Sequence, residues 1–251
     1  MAVCWGSNYE GEGSPPLDER FASISSGGTL TCALRKDGSP VCWGLHQSLA
    51  LSSPPAGEKF VSISSGGIHA CGLREDGVAV CWGEDSNGQT SPPEDERFVA
   101  ISSGGFHTCA LRSNGAAKCW GHDGYGQSSP PTDERFASIS SGWRHTCALR
   151  VDGSAVCWGT ADDSTDFGQA SPPPDGQFAS VSSGVWHTCA LRVDGSAVCW
   201  GADDDAVDFG QASPPPESFA SISSGMEHTC GITVEGTLIC WGRHSLTARP
   251  S

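Results

Sequence analysis

One tripeptide, Cys-Trp-Gly, recurs seven times along the 251-residue chain and divides it into units of nearly equal length. The first copy is Cys4-Trp5-Gly6 and the last is Cys240-Trp241-Gly242. A period of about 40 residues that covers a whole chain is typical of a modular array, not of a mixed globular domain. Residues that all units share therefore build the framework, and function is to be sought where the units differ.

Each unit contains three short segments with strand character. In residues 136–159 these read Phe-Ala-Ser-Ile-Ser, His-Thr-Cys-Ala-Leu-Arg and Ser-Ala-Val-Cys-Trp. Val151-Asp152-Gly153 separates the last two, and an Asp-Gly between alternating runs is a strong hairpin signal. A three-residue loop with glycine in the left-handed conformation pairs Arg150 with Ser154. The same register places Cys147 directly opposite Cys157.

A fourth short strand is predicted in the Gly-Gln-x-Ser-Pro-Pro segment that follows most units. Proline cannot donate to a ladder, so this strand belongs at the outer edge of the sheet. Four short strands in each of several such units predict an all-β fold, a β-propeller of short four-stranded blades. We expect six complete blades plus a half blade of a seven-bladed type. The chain, 1–251, is interpreted as one propeller domain with units at about 1–20, 21–59, 60–97, 98–135, 136–177, 178–218 and 219–251.

The thirteen cysteines form six pairs with the same ten-residue offset, plus Cys4. Directly opposed residues of an antiparallel pair have Cα atoms about 4.5–5.5 Å apart, within disulfide range. The alternative is a zinc site, which needs several Cys or His residues converging on one metal. Pairs satisfied across their own hairpins favour disulfides. The predicted bridges are Cys32–Cys42, Cys71–Cys81, Cys109–Cys119, Cys147–Cys157, Cys189–Cys199 and Cys230–Cys240.

Six disulfides indicate an oxidising compartment, so we expect a secreted protein, extracellular or periplasmic. The chain begins Met1-Ala2-Val3-Cys4 without the basic and apolar regions of a signal peptide. We therefore expect the sequence to be a mature domain with an added initiator methionine. Cys4 occupies the third-strand position of a unit whose first two strands are missing, and is predicted to be unpaired or joined between chains. No apolar run approaches the roughly 18 residues of a membrane span.

The repeated pattern Gly-x-x-His-Thr-Cys-Ala-Leu-Arg-x-Asp-Gly-x-x-x-Cys-Trp-Gly, followed by Gly-Gln, resembles the propeller repeat of the regulator-of-chromosome-condensation family. The resemblance covers essentially the whole chain. The short unit and its Gly-Gln-x-Ser-Pro-Pro tail are also similar to the secreted bacterial β-lactamase inhibitory propellers. That resemblance implies that turns carrying aromatic residues contact a target enzyme. Fold resemblance does not by itself transfer function.

The two residues before each recurrent histidine differ from unit to unit. Trp143 and Trp186 fall here, and they are the two tryptophans outside Cys-Trp-Gly. Variable, bulky residues on the loops of a rigid scaffold indicate a binding surface, and Trp and Arg are enriched at interface hot spots. The alternative is that Ile68 and Phe106 pack against adjacent turns. The predicted partner-binding residues are Ile68, Phe106, Trp143, Arg144, Trp186, Met226 and Glu227.

Two patterns suggest metal sites, and for both we favour a structural explanation. The recurrent histidines His69, His107, His145, His187 and His228 are interpreted as neutral imidazoles bonded to neighbouring backbone, since Leu30 interrupts any ring of ligands. The tryptophans of Cys-Trp-Gly and the isoleucines of Ile-Ser-Ser-Gly are assigned to the core. Acidic runs follow two of the units, but their spacing departs from known calcium loops, so we expect solvated loops. These runs include Asp162, Asp163, Asp166, Asp203, Asp204, Asp205 and Asp208.

A formal net charge of −15 argues against nucleic acid as a partner and suits a basic protein surface. No catalytic set or phosphate loop stands out from the repeat background, so an enzyme is not expected, and neither is a cofactor. The sequence favours a secreted, non-enzymatic protein-binding propeller, in one form an inhibitor of an extracellular or periplasmic enzyme. The alternative is a glycan-binding propeller in which Trp143 and Trp186 stack on sugars.

Overall fold

The computed structural model describes residues 2, 4, 8–44, 53–160, 166–202 and 207–243. Its described strands form six three-stranded sheets, each built from three strands that are consecutive in the chain. The strands are β1 (Phe21–Ser26), β2 (Leu30–Arg35), β3 (Pro40–Gly44), β4 (Ser62–Ser65), β5 (His69–Leu73), β6 (Ala79–Gly83), β7 (Ala100–Ser103), β8 (His107–Leu111), β9 (Ala117–Gly121), β10 (Phe136–Ser141), β11 (His145–Arg150), β12 (Ala155–Gly159), β13 (Phe178–Ser183), β14 (His187–Arg192), β15 (Ala197–Gly201), β16 (Phe219–Ser224), β17 (His228–Thr233) and β18 (Leu238–Gly242).

The described residues divide into two compact units. Unit 1 contains those up to Ser113 together with Cys119–His122. It holds the sheets β1–β3 and β4–β6 and most of β7–β9. Unit 2 contains Asn114–Lys118 and the described residues from 123 to 243, and holds the sheets β10–β12, β13–β15 and β16–β18.

The hairpin register and all six disulfides are confirmed. The Arg150 N–H donates to the Ser154 carbonyl at 2.9 Å, Gly153 has a φ of 84°, and Cys147 lies opposite Cys157. The six bonded pairs have Cα atoms 4.0–4.1 Å apart. Cys4 forms no disulfide within the chain, and a bridge between chains stays a prediction. The loop aspartate has a local role, since Asp152 Oδ1 accepts from the Ser154 N–H at 2.9 Å.

The predicted fourth strand is not among the described strands, because the Gly-Gln segments form successive turns. In one of them the Gly88 N–H donates to the Asp85 carbonyl at 2.9 Å, and the Ser91 N–H donates to the Gly88 carbonyl at 3.2 Å. The Gln89 carbonyl accepts two side-chain donors, Thr108 Oγ1 at 3.0 Å and Trp120 Nε1 at 2.9 Å. The Gln89 carbonyl, which a fourth strand would use to pair with its neighbour, therefore accepts side-chain donors. The prolines that follow have no N–H to donate to such a strand.

This carbonyl anchor, one backbone C=O accepting a Trp indole and a Thr hydroxyl of the following hairpin, recurs in four other places within the described residues. Its distances span 2.8–3.2 Å. Glu12 replaces glutamine in the first copy and keeps its contacts: the carbonyl accepts both donors, and Oε2 accepts the Glu10 N–H at 2.8 Å. The acceptor residues are Glu12, Gln89, Gln127, Gln169 and Gln211.

The tryptophan that donates to each anchor also packs in the core, as predicted. Each Trp of a described sheet is 7–9% exposed. Its ring packs on the phenylalanine at the start of the same repeat, for example Phe60 on Trp82 with centroids 5.7 Å apart. The isoleucines of Ile-Ser-Ser-Gly contribute at the margin: Ile63 and Ile101 are partly buried and pack against core clusters.

Hydrogen bonds between neighbouring repeats join the sheets within each unit. In unit 1 the Ser65 N–H donates to Ser25 Oγ at 2.9 Å, and Ser65 Oγ donates to the Ser25 carbonyl at the same distance. In unit 2, Ser183 bonds Ser140 in the same way. The second serine of Ile-Ser-Ser-Gly is therefore an inter-strand link between repeats.

The buried histidines are structural, but the predicted backbone partner was wrong. His69 Nε2 lies 2.9 Å from Thr108 Oγ1, and His145 Nε2 lies 2.8 Å from Thr188 Oγ1 of the next repeat. Burial lowers the pKa of His69 to about 4 and that of His145 to about 3. Burial likewise lowers the pKa of His187, which bonds Thr229 Oγ1, to about 4. These rings are neutral at pH 7 and join adjacent repeats through threonine side chains.

Removing one disulfide tests the contribution of the hairpin bridges. Each bridge closes a ten-residue separation, so the double substitution Cys189→Ala/Cys199→Ala should lower the free energy of unfolding by about 2.5–3 kcal/mol. A reductant that opens all six should lower Tm by more than about 10 °C. Cys4→Ser is the matched control and should leave denaturation unchanged, as should a chelator. Free thiols among the twelve paired cysteines, found by non-reducing peptide mapping, would contradict the account.

The buried histidines predict that acid destabilises the fold before carboxylates titrate. Their pKa is lower in the folded than in the unfolded chain, so their stabilising contribution is complete above about pH 6.5. It is lost as pH falls toward the folded values of about 4 and 3. Each histidine should cost roughly 1–2 kcal/mol of unfolding free energy between pH 7 and 5. Chemical denaturation at the two pH values measures this loss.

The chain supplies the matched control for that measurement. Leu30 occupies the histidine position in the first repeat and is fully buried there. His145→Leu should therefore reduce the loss of unfolding free energy between pH 7 and 5 by the contribution of one histidine. This holds even if the substitution changes the stability at pH 7. Equal stability of the parent chain at pH 7 and 5, or an unchanged slope in the variant, would contradict the assignment.

Candidate partner-binding surface

The variable turns of consecutive repeats lie side by side because their backbones are hydrogen-bonded to one another. In unit 2 the Trp143 N–H donates to the Gly184 carbonyl at 3.2 Å, and the Val185 N–H donates to the Gly225 carbonyl at 3.1 Å. In unit 1 the Gly28 N–H donates in the same manner to Gly66. The turns of each unit therefore form a continuous row, and the side chains that vary between repeats are displayed along it.

The glycine of Cys-Trp-Gly lets the third strand pass close beneath each turn. Gly159 has a φ of 105°, and a Cβ there would lie 2.5 Å from the Arg144 carbonyl oxygen and 2.8 Å from His145 Cα. Both constraints require glycine. The next residue, Thr160, donates its N–H to the Arg144 carbonyl at 3.1 Å. The turn backbone is thus hydrogen-bonded both to the end of the third strand and to the neighbouring turn.

A second set of variable side chains lies against these turns, namely the residues directly before Gly-Gln. In unit 2 all three are aromatic: Tyr125, Phe167 and Phe209. The buried glutamine two residues later accepts the backbone N–H of each aromatic residue through Oε1, at 3.0, 2.7 and 2.6 Å respectively. A fully buried framework residue therefore fixes the position of each aromatic residue.

Each aromatic residue contacts a side chain of the following repeat. The Arg144 guanidinium carbon lies 4.5 Å from the Tyr125 ring centroid. Phe167 and Trp186 form an edge-to-face pair, with centroids 5.4 Å apart and planes at 84°. The Arg243 guanidinium carbon lies 4.8 Å from the Phe209 centroid, and Arg243 also pairs with Glu227 at 3.2 Å.

We call this set of residues the turn surface. It consists of Tyr125, Trp143, Arg144, Phe167, Trp186, Phe209, Met226, Glu227 and Arg243. All nine belong to unit 2. Met226 is 51% exposed, while Trp143, Arg144 and Trp186 are half-buried. The surface combines large aromatic area, two guanidinium groups and one carboxylate on a hydrogen-bonded frame.

Five of the seven predicted site residues thus lie in one unit, and two do not. Ile68 and Phe106 belong to unit 1, where both are half-buried. The role of all seven in binding stays a prediction. Tyr125, Phe167 and Phe209 were missed, although an aromatic residue before Gly-Gln in three consecutive repeats was a readable signal.

The acidic loops are only partly described. Asp162, Asp163, Asp203, Asp204 and Asp205 lie outside the described residues. Asp166 accepts the Gly168 N–H at 3.0 Å and Asp208 accepts the Gly210 N–H at 2.8 Å, so each organises its own turn. Within the described part of the chain, no three His, Cys, Asp or Glu side chains are grouped so as to hold a metal ion. The predicted absence of calcium stays untested.

Comparison with family models identifies the repeat. The model described as "Regulator of chromosome condensation (RCC1) repeat" matches residues 60–89, 98–127, 136–169, 178–211 and 219–246. The chain belongs to this RCC1 repeat family. The matched segments run from the phenylalanine that begins each repeat through Cys-Trp-Gly, in four of five cases to the Gly-Gln that follows it. A comparison with curated proteins gave no match.

Solved structures of other RCC1-type and related propellers share the fold. The CRINKLY WD40 ectodomain of the Arabidopsis thaliana receptor kinase ACR4 is 25% identical, with a TM-score of 0.73 over 88% of this chain and 85% of that one. The entire ectodomain of the Physcomitrella patens receptor kinase CR4 is 26% identical, with a TM-score of 0.76 over 94% of this chain and 65% of that one.

Prp20p from Saccharomyces cerevisiae, described with its binding to Gsp1p and histones, is 20% identical, with a TM-score of 0.73 over 90% of this chain and 73% of that one. At this identity the likeness concerns the fold alone. The chain is thus a disulfide-bonded β-propeller protein that resembles two receptor ectodomains. The resemblance to β-lactamase inhibitory propellers stays a prediction. Among the described residues, no helix is long and apolar enough to span a membrane.

Proposed function

We propose that this chain is an extracellular, non-enzymatic binding module that recognises another protein through the turn surface. The observation that carries the proposal is the contrast between framework and surface in unit 2. Framework positions repeat with the same contacts, whereas the turn positions carry Trp, Arg, Tyr, Phe and Met in unequal combinations. Aromatic residues, methionine and arginine are the types enriched at the centres of protein interfaces.

Six disulfides and the likeness to two receptor ectodomains support an extracellular setting. Bridges of this kind persist where thiols are not kept reduced. A periplasmic or secreted location satisfies the same condition. The partner is accordingly expected among proteins of the same compartment.

The inequality of the turns supports a single protein partner over a set of glycans. A glycan-binding propeller should present one equivalent aromatic and polar site in each repeat. Here one repeat presents Arg144 on Tyr125, the next presents Trp186 against Phe167, and the third presents Glu227 with Arg243 on Phe209. Because the three repeats present different side chains, together they fit one large, asymmetric epitope.

Alanine substitution of the two turn tryptophans tests the surface directly. Trp143→Ala and Trp186→Ala should each weaken the partner complex by about 2 kcal/mol, roughly a 30-fold rise in Kd. Thermal denaturation should be nearly unchanged, since neither side chain belongs to the buried cores. The partner is first captured from the native secretome with the parent chain, identified by mass spectrometry, purified, and then titrated with each variant.

The hairpin loops supply the matched control. Val151 and Val193 are 84% and 85% exposed in unit 2 and lie outside the turn surface. Val151→Ala and Val193→Ala should leave the Kd unchanged. If both tryptophan variants bind normally, or if the valine variants lose binding equally, the partner binds elsewhere and the proposal fails.

Stoichiometry and salt dependence give an independent prediction. Calorimetry should show one partner per chain, and the association rate should fall as ionic strength rises past about 0.1–0.15 M, because the charge of −15 attracts a basic surface. Several small glycans bound per chain, with no salt dependence, would instead support the lectin function.

Inhibition of an extracellular enzyme would be one form of this binding. It rests on the resemblance of the repeat and its Gly-Gln-x-Ser-Pro-Pro tail to the β-lactamase inhibitory propellers. A hydrolysis assay with several secreted β-lactamases tests it. Unchanged rates with all of them would remove the inhibitor form and leave the binding proposal in place.

A further inference from the structure

Three consecutive repeats of unit 2 present the same aromatic position with different neighbours. In the first, Arg144 lies over Tyr125, and in the third, Arg243 lies over Phe209. In both, a guanidinium group covers the aromatic ring that precedes Gly-Gln. The chain thus uses one device twice, a cation held on an aromatic ring whose backbone is fixed by a buried glutamine.

The middle repeat has the aromatic ring without a cation. Phe167 is held by Gln169 in the same way, but the turn position carries Trp186, and its plane stands at 84° to that of Phe167. Ala202, which follows Cys-Trp-Gly where Arg243 does in the next repeat, is buried and adds only a methyl group. Among the described residues no Lys or Arg lies over either ring, and residues 161–165 and 203–206 include neither residue type.

The planes of Phe167 and Trp186 stand at 84° to each other, and the angle between the two rings forms a corner. The faces of Trp and Phe carry negative electrostatic potential and attract ammonium or guanidinium groups, Trp most strongly. Both rings are half-buried, so each keeps part of its surface open to solvent. Two features of the charge distribution also favour a cation: Asp166 precedes Phe167, and the chain carries a formal charge of −15.

We propose that the Phe167–Trp186 pair binds an arginine side chain of the partner protein, completing the row of guanidinium groups that Arg144 and Arg243 begin. This inference rests on the proposed function, whose binding surface it shares. Arginine is favoured over lysine because its planar guanidinium stacks on aromatic rings, as the two neighbouring repeats already show. The site therefore selects partners that expose an arginine on a basic surface.

The test needs no partner protein. Nα-acetyl-arginine amide is titrated into the ¹⁵N-labelled chain, with Nα-acetyl-citrulline amide as a neutral probe of nearly the same shape. NMR follows the Trp186 indole signal, assigned with Trp186→Phe, and the backbone amide signals of Phe167 and Gly168. We expect saturable shifts with the arginine probe and binding about three- to fivefold weaker with citrulline, the ratio expected of an accessible cation–π contact. The buried Trp158 indole is the internal control and should not shift.

A variant in which the chain itself supplies the cation makes the test specific. Arg144 and Trp186 occupy the same position of consecutive repeats, each directly before the recurrent histidine. Trp186→Arg should therefore place a guanidinium over Phe167, as in the preceding repeat, with the same Tm as the parent chain. The Phe167 and Gly168 amides should then no longer respond to the arginine probe. Val193→Ala, in an exposed hairpin loop outside the turn surface, should keep the full response.

Two results would overturn the inference: equal shifts with arginine and citrulline, or an undiminished response in Trp186→Arg. Either would leave the proposed function standing if the tryptophan-to-alanine variants still lose the partner. Conversely, if the partner binds independently of Trp143 and Trp186, the proposed interface fails and this inference fails with it, whatever the arginine probe shows.

Discussion

The structure depends on one small interaction, a backbone carbonyl that accepts both an indole N–H and a threonine hydroxyl. At Gln127 these donors are Trp158 and Thr146, at 2.9 and 3.0 Å. The bond fixes the segment between two sheets onto the hairpin that follows. It also places a polar indole edge against an acceptor, so that the ring can be buried at little cost. The Glu12 carbonyl accepts the same two donors in the first copy.

The segment between consecutive sheets is fixed in this way, and three positions in each repeat can still vary. They are the residue before Gly-Gln, the turn residue before the histidine and the residue after Cys-Trp-Gly. The backbones at the first two positions are held by hydrogen bonds that do not use the variable side chains themselves. Sequence change at these positions therefore alters the surface without disturbing the core. In unit 2 the changes have produced neighbouring cation–aromatic and aromatic–aromatic contacts, which is the physical basis for assigning recognition to this surface.

The sequence predicted what depends on local spacing and missed what depends on contacts between repeats. The Asp-Gly loop and the ten-residue offset were sufficient to place Cys147 opposite Cys157. The prediction of a fourth strand failed because nothing in the local sequence reveals that side chains of the next hairpin donate to the Gln89 carbonyl. The threonine partner of His145 likewise belongs to the next repeat. Strand β13 separates Phe167 from Trp186 in the chain, so the aromatic residues before Gly-Gln looked like ordinary loop residues.

The central claim is that a uniform framework displays one unequal, partner-binding row of turns in unit 2. Hydrogen–deuterium exchange of the chain with and without its captured partner measures this most directly. The account predicts new protection at the backbone amides of residues 143–145, 185–187 and 226–228, and at those of Tyr125, Phe167 and Phe209. Exchange in the hairpin loops at residues 151–153 and 193–195 should be unchanged. Protection confined to those loops, or spread evenly over all repeats, would contradict it.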